Sequence, residues 1–340
     1  MIGTEIDTLR GQLSDLADPD GELAPLTTYR LGGRAALMVR PRTVDDLLRI
    51  GAAWAATGLP LLVVGRGSNL LVADEGFPGL AVVTADLMVR PPSDDADHQR
   101  VDDGMDFAAD RMQCVAGVLL PQAARRSAAH GLTGFEWAVG VPGSIGGAVR
   151  MNAGGHGSDM AATLVDATIV DLRRQQVATV PVERLGLRFR GSALADHQLV
   201  LSATLQLRLG DRAESEDMIS SIVRWRREHQ PGGQNAGSVF VNPVPGEVAA
   251  GELIDRCGLR GFSVGGASVS EKHANFIQAG PGATAADVRA VIAEVRRRVA
   301  DETGFVLRSE IRHAGFAHDP DGDLADDPGE GEGLHEGVAL

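Results

Sequence analysis

The chain is nearly without lysine: Lys272 is the single one in 340 residues, and arginine supplies the rest of the positive side-chain charge. Cysteine is almost as scarce. Cys114 and Cys257 lie far apart and outside any Cys-x-x-Cys or metal-ligand spacing. This argues against a disulfide framework, a redox dithiol or a metal site, and fits two thiols in a reducing compartment. No apolar signal-like segment opens the chain and no run of 18 apolar residues occurs, so a soluble, cytoplasmic protein is expected. Lysine and arginine are missing altogether after Arg312, where eight carboxylates from Asp319 to Glu336 hold much of the net charge of −14. That balance disfavours nonspecific binding to nucleic acid or to anionic membrane.

Glycine, by contrast, is abundant and concentrated. Residues 134–157 hold eight glycines in 24 positions, with Glu136 and Arg150 the only charges. Glycine permits close backbone approach at an entropic cost. A flexible linker would not carry Trp137, Ile145, Val149 and Met151, because linkers favour small polar residues. The stretch reads as a buried loop system whose peptide N–H groups face an anionic ligand, with a purely structural turn as the alternative.

Around it the chain alternates helical and strand patterns. Weak helical spacing over residues 5–17 ends at Asp18-Pro19-Asp20-Gly21, and residues 26–33 read as a short extended piece. Thr43 N-caps a helix running to Ala56, with Asp45 and Asp46 in its positive first turn. The apolar run Leu61–Val64 reads as a buried strand and delivers Gly65-Arg66-Gly67-Ser68-Asn69 at its end. A glycine loop after a strand is a frequent phosphate site. This one is not GxGxxG and no helix follows it, so a Rossmann dinucleotide fold is not expected. Residues 80–84 read as a strand, 91–110 as polar and irregular, and Pro121 opens a helix to His130. Strands follow at 163–172 and 198–209, then helices at 214–229 and 249–257. Thr284 and Asp287 resemble a capping box on a helix to Glu302. Residues 305–312 read as a strand, with Phe305, Leu307 and Ile311 on one face and Arg308, Glu310 and Arg312 on the other. From residue 317 the composition predicts a disordered acidic tail. The mixture points to an α+β architecture.

Six motifs occur in order: Tyr29-Arg-Leu-Gly-Gly33, Gly65-Arg-Gly-Ser-Asn69, Gly140-Val-Pro-Gly-Ser-Ile-Gly-Gly-Ala148, Asn235-Ala-Gly-Ser-Val-Phe240, Ser270-Glu-Lys-His-Ala-Asn-Phe276 and Ser309-Glu-Ile-Arg312. Together they resemble the UDP-N-acetylenolpyruvoylglucosamine reductase (MurB) family over roughly residues 26–316. The resemblance implies an FAD-binding domain of the vanillyl-alcohol-oxidase (PCMH) type in two α+β subdomains, residues 26–210. It adds a smaller α+β substrate-binding domain with a returning strand, residues 211–316, between an N-terminal segment, 1–25, and the tail, 317–340. The implied activity is reduction of UDP-N-acetylglucosamine enolpyruvate to UDP-N-acetylmuramate, using non-covalent FAD and NADPH, in peptidoglycan precursor synthesis. The implied partner is that UDP-sugar alone, with neither nucleic acid nor membrane, and a monomer is expected.

Residue by residue, Ser238 matches the general acid that gives a proton to C2 after flavin N5 gives hydride to C3. Arg190 matches the arginine on the carboxylate and enolate oxygen, a role suited to a planar, always-charged fork, although Arg188 competes for it. Glu310 matches the catalytic carboxylate. For FAD, the resemblance implies Tyr29, the loop Gly65, Arg66, Gly67, Ser68, Asn69 and Leu70, and the run Gly140, Pro142, Gly143, Ser144, Gly146 and Gly147. The glycines of 140–147 should lie against the flavin, so Gly146→Val should cost FAD occupancy before stability. Asn242, Lys272, His273 and Asn275 should lie near the uridine diphosphate or the sugar. Three positions depart from the family pattern: Phe189 for Tyr, Val241 for Lys, and Gly155-His156-Gly157 for Ala-Tyr-Gly. The rival readings are a flavin oxidase or dehydrogenase of the same fold and a catalytically silent FAD- or UDP-sugar-binding paralogue.

Overall fold

The structure, a computed structural model, describes residues 2–85, 87, 99–101 and 104–316. The tail at 317–340 and residues 91–98 and 102–103 of the stretch read as irregular lie outside it.

The first unit contains α1 (Ile2–Gln12), β1 (Ala35–Val39), α2 (Val44–Ala55), β2 (Leu61–Val64), β3 (Leu70–Val72) and β4 (Phe77–Val83). Strands β1, β4 and β2 form a parallel sheet in that order. The N-terminal segment is part of this unit, because Ile6 and Leu9 of α1, with Leu13 just beyond it, pack with Leu47, Ile50 and Trp54 of α2 over Leu37, Leu80 and Val82. Thr43 caps α2 as its sequence indicates: its hydroxyl accepts from Asp46 N–H while the Asp46 carboxylate accepts from Thr43 N–H. Residues 27–33, after the short 3-10 helix Ala24–Leu26, form a bend and irregular chain rather than a strand.

The second unit runs through β5 (Gln99–Val101), β6 (Met105–Ala108), β7 (Arg111–Val115), α3 (Leu120–Ala129), β8 (Leu132–Thr133), α4 (Ile145–Arg150), β9 (Gly154–Gly155) and β10 (Ser158–Asp159). It continues with β11 (Leu164–Asp171), β12 (Gln176–Pro181), β13 (Gln198–Gln206), β14 (Arg208–Leu209) and α5 (Arg212–His229). Six strands make a sheet in the order β12-β11-β13-β7-β6-β5, each neighbouring pair antiparallel. Thus residues 99–101 and 105–108 are strands where sequence suggested irregular chain; β6 has only Met105 and Phe107 facing inward, too short a pattern to stand out. Helix α5 packs here too, through Ile219 and Ile222 in the same core as Cys114, Ile145 and Leu205. The packing boundary therefore falls at the end of α5 rather than at residue 211.

The third unit comprises α6 (Ala250–Arg256), β15 (Ser263–Val264), β16 (Ala267–Val269), β17 (Ile277–Ala279) and α7 (Ala285–Thr303). Helix α7 opens on the expected Thr284–Asp287 capping box and buries Val288, Val291, Ile292, Val295 and Val299. The chain then returns as β18 (Arg312–Ala314), parallel to β3 of the first unit. Residues 305–311 alternate as read, with Leu307 and Ile311 buried and Val306 exposed, but form no continuous ladder. Their neighbour is the loop at 239–241, joined through Val241 N–H to Arg308 O and Glu310 N–H to Val239 O. No helix among the described residues is long and apolar enough to cross a membrane.

The glycine-rich stretch contains α4, a helix its composition concealed. Ile145, Ala148 and Val149 supply a buried face at helical spacing. Gly146 lies where α4 approaches the chain following β7: a Cβ there would sit 2.8 Å from the Ala116 Cβ, and Gly146 N–H donates to Ala116 O at 2.9 Å. The geometry reverses the sequence expectation for this residue. Gly146→Val should lower unfolding stability by about 1–3 kcal/mol through overpacking, measured by denaturant unfolding of the FAD-free protein; an unchanged midpoint would contradict this close packing.

Candidate active site

The loop after β2, the segment before α4 and the chain ahead of β18 converge on a cavity of about 560 Å³. That volume lies in the usual range for a small-molecule or cofactor site, about 300–1,000 Å³. Residues 65–70 all line it, as do Pro142, Gly143, Ser144 and Gly147. Ser68 ties the two loops by donating from Oγ to Pro142 O at 3.1 Å. A Cβ on Gly147 would meet only Ser144 Oγ, at 3.8 Å, so this glycine leaves the wall flat and open.

Gly140 and Gly146 do not line the cavity. Gly146 packs on Ala116, and a Cβ on Gly140 would lie 3.0 Å from His156 Nε2, so Gly140 makes room for a neighbouring ring. Tyr29 is also elsewhere. Its ring is wholly buried in the third unit's core and its hydroxyl donates to Ile277 O at 3.1 Å; burial pushes the phenol above its ordinary pKa.

Ser238, Arg190 and Glu310 all line the cavity, brought from three separate segments. Arg190 sits in a tight turn closed by reciprocal hydrogen bonds between Arg188 and Gly191, in the left-handed region at φ 55°. Non-glycine residues pay strain there, and such strain concentrates at functional sites. The turn separates the two arginines that sequence left in competition. Arg188 directs Nη1 to Ser192 O at 2.6 Å, whereas Arg190 Nε donates to Glu310 Oε2 at 3.0 Å. Burial raises the Glu310 pKa above the usual carboxylate value, against the opposing pull of Arg190 and Arg308. Asn69 Nδ2 donates to Glu310 O at 2.7 Å, fixing the glutamate backbone to the 65–69 loop.

The four expected substrate contacts, Asn242, Lys272, His273 and Asn275, do not line this cavity. Asn242 Oδ1 accepts from Ala250 N–H at the start of α6. Lys272 Nζ donates to Arg227 O at 2.6 Å, at the end of α5. His273 packs edge-on against Phe276 and accepts from Asn275 N–H, with burial as the main cause of its lowered pKa. Asn275 is a buried brace behind Ser238: its Oδ1 accepts from Phe240 N–H at 2.9 Å and its Nδ2 donates to Phe240 O at 2.8 Å. Its carbonyl also accepts from Val239 N–H at 2.9 Å.

Sequence reasoning missed much of the positive wall. Arg66, Arg150, Arg190, Arg226 and Arg312 line the cavity beside one carboxylate, Glu310. Arg150 and Arg312 both pair with Asp196 Oδ1. The signal for Arg150 was its isolation in an almost uncharged stretch; Arg226 had none, lying in an ordinary-looking charged helix.

Comparison with known proteins agrees with this architecture. A family model for the C-terminal domain of UDP-N-acetylenolpyruvoylglucosamine reductase matches residues 229–314, beginning where α5 ends. A model for an FAD binding domain matches residues 35–177. The UDP-N-acetylenolpyruvoylglucosamine reductase of Paramagnetospirillum magneticum is 39% identical over 301 residues, covering 88% of this chain and 92% of that protein. The Heliobacterium modesticaldum reductase is 40% identical over 291 residues, covering 85% and 88%. A crystal structure of UDP-N-acetylenolpyruvylglucosamine reductase from Thermus caldophilus matches with a TM-score of 0.69 at 32% identity, covering 86% of this chain and 97% of that one. With such identity across nearly the whole length of its relatives, the chain belongs to the UDP-N-acetylenolpyruvoylglucosamine reductase family.

Proposed function

We propose that this protein reduces UDP-N-acetylglucosamine enolpyruvate to UDP-N-acetylmuramate with FAD and NADPH, as a cytoplasmic monomer in peptidoglycan precursor synthesis and hence in cell division. The observation that carries the reading is the convergence of Ser238, Arg190 and Glu310 on one arginine-rich, glycine-walled cavity.

The residues present fit a flat ring joined to a pyrophosphate. The backbone at 65–69, with Arg66 beside it, would hold the pyrophosphate, and the open face at Gly147 would admit the ring. Bound FAD supplies the two-electron carrier between NADPH and the enolpyruvyl group. The protein's own work is to manage the charge and the proton. Reduction at C3 leaves negative charge on C2 and the substrate carboxylate, and Arg190 meets that charge with a fork held by Glu310. Glu310, its pKa raised by burial, is more readily protonated than an ordinary carboxylate as the enolate develops. Ser238 delivers the proton at C2, from a segment that Asn275 holds by three hydrogen bonds to residues 239 and 240.

The direct test is NADPH oxidation with and without UDP-N-acetylglucosamine enolpyruvate; absence of substrate-dependent turnover would refute the reading. In Ser238→Ala, flavin reduction by NADPH should keep its rate while reoxidation by the enolpyruvyl substrate slows by about 10²–10⁴, resolved by stopped-flow absorbance. Asn275→Ala should lower stability by about 1–3 kcal/mol for each polar group of Phe240 left unpaired and reduce kcat, with FAD affinity unchanged in fluorescence titration. Gly147→Val should do the reverse, weakening FAD at least tenfold while the FAD-free protein unfolds at its usual denaturant midpoint.

A further inference from the structure

Phe189 is a large apolar side chain that the fold does not bury. It is 52% exposed and belongs to none of the four hydrophobic clusters among the described residues. Leu187 and Ala193, on either side of it, do pack against the second unit's core. Phe189 does not line the cavity either. Its ring instead lies against Arg190, whose Cζ sits over it at 5.0 Å from the centroid. That is within the roughly 6 Å at which a guanidinium is attracted to the negative face of an aromatic ring.

Phe189 and Arg190 are the two corner residues between Arg188 and Gly191, which exchange backbone hydrogen bonds at 2.9 and 3.1 Å. Arg190 has φ 55°, a conformation usually left to glycine or asparagine at the second corner of such a turn. The base of the turn is fastened separately. Asn152, itself buried, donates from Nδ2 to Arg188 O at 3.2 Å, and Arg188 reaches Ser192 O. The turn thus has its own anchors, and the fold has no need of a phenyl ring at its tip.

Arg190 does have a need for one. Glu310 Oε2 takes the Nε–H of the guanidinium, which fixes one edge but leaves the plane able to tilt. A ring on its face restrains the tilt without consuming another N–H donor. The ring also displaces water from that side, so the positive field toward the cavity is less screened.

We propose that Phe189 is a positioning residue for the reduction. Its ring backs the Arg190 guanidinium from outside the cavity and holds it in the plane that meets the substrate carboxylate and the enolate oxygen. The inference rests on the reductase reading, because it assigns Phe189 an effect on the enolpyruvyl half-reaction alone.

The test follows both half-reactions by stopped-flow absorbance in FAD-loaded protein, comparing wild type with Phe189→Leu, Phe189→Tyr and Phe189 replaced by mono-, di- or trifluorophenylalanine. Phe189→Leu keeps apolar bulk but removes the π face. Reoxidation at saturating enolpyruvyl substrate should slow about two- to fivefold, with flavin reduction by NADPH and the unfolding midpoint unchanged. Phe189→Tyr should keep the wild-type rate. Fluorine weakens the negative face while preserving the ring's shape, so reoxidation should slow stepwise along the series, a trend that a packing role would not produce. Wild-type turnover with a flat fluorine series overturns the proposal alone, as does equal slowing of both half-reactions in Phe189→Leu. A wild-type flavin that the enolpyruvyl substrate cannot reoxidise removes the reductase reading and the proposal with it.

Discussion

The site depends on one return of the chain. Residues 309–314 leave α7, run beside the 239–241 loop and pair as β18 with β3. Asn69, immediately before β3, secures the junction by donating to Glu310 O, across a sequence separation of 241 residues. This return sets Glu310 against the glycine loop after β2, the serine loop before α6 and the arginine turn after β12. The long loop closure is entropically unfavourable, and the buried third unit, with Leu307 and Ile311 in its core, offsets it.

Charge is organised locally against the protein's overall sign. An acidic chain presents five arginines to its cavity, but they are not equivalent. Arg150 and Arg312 are held by Asp196, and Arg190 is held by Glu310. Those pairings fix direction as much as they neutralise charge, since a guanidinium with one edge bonded to a carboxylate keeps other N–H groups for a ligand. Among the described residues Arg66 and Arg226 have no such carboxylate, and they lie on different elements, the loop after β2 and the last turns of α5. An anion-rich reaction mixture of cofactor, reductant and UDP-sugar calls for separated positive points of this kind.

The glycines and the polar brace divide the mechanical work. Gly146 brings α4 close to Ala116, Gly140 leaves space for His156, and Gly147 keeps the cavity wall bare. Asn275 stands in for a strand partner behind Ser238, satisfying both backbone groups of Phe240 where no ladder continues. A buried amide in that position rigidifies the Ser238 loop without placing another side chain in the cavity.

The sequence by itself determined what is encoded by neighbours: the Thr43 N-cap and the Thr284–Asp287 capping box, the buried strand that presents residues 65–69, the valine face of α7, and the motif set that names Ser238, Arg190 and Glu310. Local steric and hydrogen-bonding rules suffice for those features, and family motifs are local strings. Only the tertiary structure decided which way each side chain looks. Arg190 rather than Arg188 reaches Glu310 because a left-handed turn, not a strand, carries them. Tyr29 and Asn275, both within recognisable motifs, turn into cores rather than toward ligand because the third unit closes over them. Arg226 was invisible because a charged residue on a charged helix looks solvated until the helix is packed. Side-chain direction is set by contacts between segments far apart in the chain, and no spacing within one segment records it.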